Sequence, residues 1–369
     1  MLRPIRKTDC AIALSATQKM IRHFALWLCK PTTQGALITE VGIRALVNTP
    51  EEAAWLWSFL GGKHKEKTHL KRAQHLADLP AVIKIKLQDW VVLSTNISKY
   101  FDLTPTGKLI PVALPLDDTD WKNLKDLMEA FYLKGLKEGL AYLPNGTPTD
   151  DKKKGLNYKT FRSNFIALHK IDKHEFAREV CVICNGELRN ASIDHWIPKA
   201  TYPILSVCAD NLVPICGECN QSPNKGSGSV HTDGSFEDWF HPYFRHPDGT
   251  LKIAHKTASY AVVLKSTRSS DDKRVENLNS LFNLELRWTR EFKGEYRKLY
   301  NAILTRQRKK KDGEAFTLEI LCQQIRDWAH GLSPEQPNFE VHQALADALH
   351  DANRLMVWHG DLIKDLEQM

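Results

Sequence analysis

The chain of 369 residues is long for a single compact core, so its length predicts two or three domains. Hydrophobic residues make up 42% and charged residues 26% of it, a usage that excludes disordered and membrane-spanning classes. The net charge of +7 and the pI of about 8.8 fit a polyanionic partner without requiring one. No run approaches the ~18 apolar residues of a membrane helix, and the apolar run at 10–14 is too short for a signal peptide. We therefore expect a cytoplasmic protein without a membrane partner.

Apolar periodicity predicts a helical N-terminal domain over residues 1–142. Within "NTPEEAAWLWSFLGGK", Thr49 is the predicted helix N-cap and Pro50 occupies the first turn. The stretch "KHKEKTHLKRAQ", which comes next, is strongly basic, and it is either a solvated face or a phosphate-contacting one. A further amphipathic helix is predicted to open at Thr119.

Beyond this domain the composition changes. Residues 143–156 collect Pro, Gly, Asp and Lys without apolar periodicity, which predicts a linker. A cysteine-rich domain is predicted over residues 157–240, and a mainly helical C-terminal domain over residues 241–369. The stretch "GTLKIAHKTASYAVVLKS" near the start of the C-terminal domain is typical of a short β-hairpin.

Two CxxC pairs, Cys181-x-x-Cys184 and Cys216-x-x-Cys219, have 31 residues between them. Each pair can present two thiolates from one tight turn, and two pairs complete the tetrahedral four-sulfur shell that zinc prefers. Because four cysteines leave no open coordination position, the predicted zinc is structural. The other cysteines of the eight are scattered, which indicates metal binding in a reducing compartment rather than a disulfide framework.

Between and around these pairs the chain reads "DHWIP", "DNLVPIC" and "CGECNQSPNK". This ordered set, from Cys181 to Lys225, resembles the HNH endonuclease family in its four-cysteine, zinc-containing form. The resemblance implies a mainly α protein around a small ββα-metal HNH nuclease core, an α+β unit stabilised by zinc. It also implies that the domain at 157–240 is the nuclease domain.

The resemblance assigns a role to each matching residue. His195 resembles the general base that takes a proton from the attacking water. Asp194 and Asn220 resemble the ligands of one catalytic divalent ion. Asn211 is similar to the asparagine that pins the loop and orients the histidine, and Lys225 to the lysine that contacts phosphate.

Two of these assignments have alternatives. The family often has histidine where this chain has Asn220, and His231 nearby could replace or supplement Asn220 as a metal ligand. Lys199 and Arg189 could equally be the phosphate contacts.

The chemistry of these residues points in the same direction. Phosphodiester cleavage needs an activated water, neutralisation of the phosphate and stabilisation of the leaving oxyanion. A neutral imidazole can accept the proton, and an oxygen-ligated cation can neutralise the charges. Oxygen ligands favour Mg²⁺ or Mn²⁺. The sequence therefore predicts a metal-dependent nuclease on DNA or RNA, with DNA favoured.

A second, weaker resemblance involves "DWFHPYFRHPDG" and "LNSLFNLELRWTREFKGEYRKL". These stretches are similar to the segment C-terminal to the HNH core in nuclease subunits of bacterial anti-phage systems of the Septu type, some of them associated with retrons. The resemblance implies an ATPase or another defence-system subunit as partner, since the chain has no Walker-type phosphate loop. The alternative function is a catalytically inactive, zinc-stabilised nucleic-acid-binding or adaptor module in a larger complex.

Overall fold

The computed structural model describes residues 5–64, 66–101, 116–170, 172–247, 249–256, 259–309 and 316–367. The described chain is mainly helical, as predicted. Its first part includes five α-helices and a two-stranded hairpin: α1 (Ala11–Leu28), α2 (Glu40–Leu46), α3 (Pro50–Gly61), β1 (Lys63–His64), β2 (Lys67–Thr68), α4 (His69–Ala77) and α5 (Ala81–Ser94).

Helix α3 shows how the sequence sets these elements. The Thr49 hydroxyl accepts a hydrogen bond from the backbone N–H of Glu52, and the Glu52 carboxylate accepts one from the backbone of Thr49. This capping box, with Pro50 in the first turn, confirms the predicted helix start. The buried face of α3 carries Trp55 and Phe59, whose rings stack 5.3 Å apart in the core.

The basic stretch after α3 forms β1, β2 and the start of α4. Its members differ in exposure: Lys67 is exposed, whereas Arg72 is buried and forms an ion pair with Asp126 at 3.2 Å. The single arginine of this stretch therefore serves internal packing and does not contribute to a phosphate-binding face.

Helix α6 (Asp118–Ala130) continues directly into a π-helical turn, Phe131–Leu136. Asp117 caps α6 by accepting from the backbone N–H of Asp120 at 2.8 Å, so the helix predicted to open at Thr119 begins one residue earlier, at Asp118. The carboxylate of Asp117 is a favourable cap because it accepts at the positive end of the helix dipole.

Residues 143–156, predicted as a linker, fold back on the chain that precedes them. The backbone N–H of Thr149 donates to Ala141 and that of Leu156 donates to Tyr142. Leu156 is fully buried. Helix α7 (Tyr158–His169) comes next and is capped by Asn157.

The middle of the chain forms a small strand–strand–helix unit. Strand β3 (Ser192–His195) pairs antiparallel with β4 (Leu212–Ile215), and the one-turn helix α8 (Gly217–Asn220) comes directly after β4. The register aligns Asp194 with Val213 and His195 with Leu212. All of β4 is buried, so the hairpin lies inside the protein.

The C-terminal part begins with the predicted hairpin, β5 (Leu251–Lys256) and β6 (Ala261–Ser266), which is confirmed. Five helices complete the described chain: α9 (Asp272–Phe282), α10 (Leu284–Arg308), α11 (Leu318–His330), α12 (Phe339–Leu349) and α13 (Ala352–Glu367). The hairpin packs on α10 and α12.

One continuous buried core joins all of these parts. The division at residues 142, 156 and 240 therefore stays a prediction about domains. Among the described residues, none of the helices combines the length and hydropathy that crossing a bilayer requires.

Candidate functional site

The two CxxC pairs converge on one point. The sulfur of Cys181 lies 4.0 Å from that of Cys219, and the sulfur of Cys184 lies 3.8 Å from that of Cys216. No two of these four sulfurs are more than 4.8 Å apart. A tetrahedral zinc with Zn–S bonds of about 2.3 Å requires sulfurs about 3.8 Å apart, whereas a disulfide requires about 2 Å. The buried tetrad therefore has the geometry to hold a metal ion such as zinc.

Backbone N–H groups donate hydrogen bonds to two sulfurs of the tetrad. Cys216 caps α8, and its sulfur accepts from the backbone N–H of Cys219 at 3.4 Å. The sulfur of Cys181 accepts from the backbone N–H of Cys216 at 3.4 Å. Such N–H donors stabilise thiolates, which are the form that binds metal.

Helix α10 covers the tetrad, a contact that no motif in the sequence indicates. The guanidinium of Arg287 donates to the sulfur of Cys219 at 3.2 Å and to the carboxylate of Glu218 at 3.1 Å. The indole N–H of Trp288 donates to the backbone carbonyl of Cys184 at 2.9 Å. A buried positive charge next to four thiolates offsets part of the negative charge that a zinc–thiolate centre carries.

His195 lies at the end of β3 and is buried, with 7% of its surface exposed. Its Nε2 is 2.8 Å from the backbone carbonyl of Ser206. Since a carbonyl can only accept, Nε2 carries the proton and Nδ1 carries the lone pair. Burial, reinforced by the charge of Lys199, lowers the pKa of His195 to about 3, so the ring is neutral at neutral pH.

The loop after β3 is held by Asn211, which is fully buried. Its side-chain oxygen accepts from the backbone N–H of Ile197 at 2.7 Å, and its amide donates to the Ile197 and Leu205 carbonyls at 2.9 and 3.3 Å. Asn211 lies in the short turn before β4 rather than on the strand itself. These bonds fix the loop that carries Ser206.

Asp194 and Lys225 form a buried ion pair. The ammonium of Lys225 lies 3.0 Å from each carboxylate oxygen and donates to the backbone carbonyl of His195 at 2.7 Å. The side chains of Asp194 and Lys225 are 4% and 0% exposed. Burial raises the pKa of Asp194, and the neighbouring Lys225 opposes that shift. Lys225, which the sequence suggests as a phosphate contact, is thus buried and neutralises the carboxylate of Asp194.

We expect Lys225→Met to destabilise the protein by about 3–5 kcal/mol, because it leaves the Asp194 carboxylate buried without a counter-charge. Urea unfolding measures the difference. The double variant Asp194→Asn/Lys225→Met removes both charges and should recover most of the lost stability. Wild-type stability in the single variant would contradict the ion pair.

Asn220 approaches β3 from α8. Its amide nitrogen donates to the hydroxyl of Ser192 at 2.6 Å. Ser192 and Asp194 are two residues apart on one strand, so their side chains lie on the same face, and Asn220 therefore sits beside the face that carries Asp194. Among the described residues, none donates a hydrogen bond to the Asn220 side-chain oxygen.

His231, the alternative metal ligand, contacts Gly234 and Tyr202. Its Nδ1 accepts from the backbone N–H of Gly234 at 3.1 Å, and its Nε2 contacts the hydroxyl of Tyr202 at 3.4 Å. Its described contacts do not include Asp194, so the structure does not bring the alternative ligand to the carboxylate.

The two alternative phosphate contacts differ in position. The Lys199 ammonium lies 5.9 Å from the ring centre of Tyr132, which itself packs on His195, so Lys199 is on the histidine side of the site. Arg189 is exposed and pairs with Glu187 at 2.6 Å, beside the cysteine tetrad. Of these two residues, Lys199 is the one near His195.

A groove of about 1170 Å³ runs past the tetrad, and His195 is not among the residues that line it. Arginine and glutamate side chains both line it, so it does not favour a polyanion. In its wall, His342 lies 3.0 Å from Glu291 and Lys298 lies 2.9 Å from Glu295. Glu291, Glu295 and His342 lie close enough together to be potential metal ligands, and these contacts already give both glutamates a partner without an ion.

Comparison with known proteins gives two short matches. The chain is 37% identical over 65 residues to protein ea31 of Escherichia phage lambda, covering 18% of this chain and 21% of that protein. It is 30% identical over 114 residues to the Septu protein PtuB of Bacillus thuringiensis, covering 30% of this chain and 40% of that protein. The matches span less than half of either relative. No family profile and no solved structure matches the chain.

The similarity to PtuB is weak and distant. Together with the cysteine tetrad, it agrees in part with the resemblance to Septu-type proteins described for the sequence.

Proposed function

We propose that this chain is a metal-dependent HNH endonuclease that hydrolyses phosphodiester bonds, in DNA in preference to RNA. The observation that carries the proposal is the state of His195. Its Nε2–H is held by the Ser206 carbonyl, which leaves Nδ1 unprotonated with its lone pair free. Nδ1 has no described partner and is not among the buried polar atoms closed off from solvent. A neutral imidazole fixed in one tautomer at the end of a strand is the arrangement of a general base.

In this proposal His195 takes the proton from the attacking water through Nδ1. The Ser206 carbonyl keeps the ring oriented and stabilises the imidazolium that forms, since it accepts from Nε2–H in both states. Lys199, on the same side of the site, binds and orients the phosphate by its charge.

The residues fit a divalent ion at Asp194. Its Oδ2 is buried and accepts no well-directed hydrogen bond, although the Lys225 ammonium is near. The Asn220 side-chain oxygen would supply a second hard ligand from α8. When bound there, Mg²⁺ or Mn²⁺ would neutralise developing charge on the phosphate and the leaving oxygen. Lys225 already supplies one positive charge at this carboxylate, so it would share Asp194 with the ion.

The proposed setting of this activity is anti-phage defence. The similarity to the Septu protein PtuB supports that role, with an ATPase or other defence-system subunit as partner. The cysteine tetrad would hold zinc and serve the fold of the nuclease centre.

The test is incubation of the purified protein with plasmid, single-stranded DNA and RNA, each with Mg²⁺, with Mn²⁺ and with a chelator. We expect cleavage that requires the divalent ion and is strongest on DNA. Binding without cleavage under every condition would instead support the inactive module.

We expect Asp194→Ala and Asn220→Ala each to weaken binding of Mn²⁺, because each removes an oxygen ligand. Mn²⁺ binding is measured by electron paramagnetic resonance, independently of cleavage. Gln221→Ala is the matched control, since Gln221 is exposed and adjacent to Asn220. If the Asp194 and Asn220 variants bind Mn²⁺ as the wild type does, these residues are not the ligands.

A further inference from the structure

The ring of His195 is held by the helical segment that precedes the cysteine pairs in sequence. Tyr132, in the π-helical turn Phe131–Leu136, packs edge-on against the imidazole with ring centres 4.5 Å apart. The Tyr132 hydroxyl donates to the backbone carbonyl of Ile193 on β3 at 3.3 Å. Tyr132 is buried, and burial raises the pKa of its hydroxyl, which therefore stays protonated and able to donate.

The same helix reaches His195 by a second route. The hydroxyl of Ser206 donates to the backbone carbonyl of Met128, the third residue from the end of α6, at 2.7 Å. The backbone carbonyl of Ser206 is the acceptor for the Nε2–H of His195. Ser206 is buried, so this connection is not interrupted by bulk solvent.

We propose that the end of α6 and its π-helical turn form a positioning element for His195, with Tyr132 as the positioning residue. The contact with Tyr132 fixes the plane of the His195 ring. The contact through Ser206 determines which nitrogen of that ring carries the proton. A π-helical turn changes the direction in which its side chains leave the helix, and such turns are frequent at functional sites. The role in cleavage rests on the proposed nuclease function, but the effect on the imidazole does not.

The test uses Tyr132→Ala, Tyr132→Phe and Ser206→Ala, with Leu136→Ala as the matched control. Leu136 is fully buried in the same turn and has no described contact with His195, so its loss reports general damage to the packing. The first readout is the tautomer of His195, from ¹⁵N spectra of histidine-labelled protein, with the signal assigned by its absence in His195→Ala.

We expect the wild type, Tyr132→Phe and Leu136→Ala to keep the Nε2–H tautomer. Tyr132→Ala and Ser206→Ala should give a mixture of tautomers, because one of the two restraints is lost. In cleavage assays these two variants should lose about ten- to hundredfold in kcat with little change in KM, the scale of a misplaced catalytic group.

The outcomes separate the two proposals. A wild type that cleaves nothing overturns the nuclease function, while the spectra still decide whether Tyr132 positions His195. A single wild-type tautomer in both Tyr132→Ala and Ser206→Ala overturns the positioning role. So does a loss of kcat in Leu136→Ala equal to that in Tyr132→Ala.

Discussion

Cys216→Ser is expected to release the metal ion and unfold the strand–strand–helix unit that carries Asp194 and His195. Zinc bound by four thiolates contributes folding free energy directly, on the order of 10 kcal/mol in small zinc peptides. Cys216 also caps α8, and serine is a good N-cap, so Cys216→Ser keeps the helix cap and removes only the thiolate ligand. We expect substoichiometric zinc, lower solubility and a lower melting temperature.

Hydrogen exchange would locate the damage. Protection should be lost over residues 181–225 and at the start of α10, where Arg287 and Trp288 contact the tetrad. Helices α1 to α5 should keep theirs. Cys322→Ser is the control, since Cys322 lies on α11 outside the tetrad. A full zinc equivalent and an unchanged melting curve in Cys216→Ser would rule out the four-cysteine site.

His195→Ala is expected to reduce cleavage at least about a hundredfold while the fold and nucleic-acid binding persist. This is the usual scale for loss of a general base. Cleavage rates on the preferred substrate, with binding measured separately, provide the comparison.

The matched control is His23→Ala, because His23 is exposed on α1 and distant in sequence from the proposed site. Cleavage by His195→Ala at the wild-type rate would remove His195 as the base, even if the protein proved to be a nuclease.

The sequence predicts the parts of this site that depend on local spacing. The two CxxC pairs define a four-sulfur cluster, and the structure brings the sulfurs together at the required distances. The apolar pattern and the Thr49–Pro50 start likewise predict helix α3. Such features depend on residues close in the chain, where backbone geometry limits the possibilities.

The features that the sequence does not show depend on contacts between distant segments. The position of Lys225 after the second CxxC pair suggests a phosphate contact. Only the tertiary fold shows that Lys225 is buried against Asp194. Tyr132 has the spacing of an ordinary core residue, and a π-helical turn cannot be inferred from periodicity. Arg287 reaches Cys219 across the fold, and no local pattern marks it.

The cover that α10 forms over the cysteine tetrad has a consequence for how the protein is made. A ribosome adds residues in chain order, so both CxxC pairs are synthesised before α10 exists. During that interval the thiols are open to an incoming ion, and the hairpin can close around it as a local unit. Once α10 packs, Arg287 contacts the sulfur of Cys219 and Trp288 contacts the backbone of Cys184, so an ion approaches the tetrad only from the side of the groove that Cys184 and Cys216 line. Zinc should therefore bind faster during synthesis, when all sides of the thiols are open, than to the folded protein, where α10 leaves only the groove as a route.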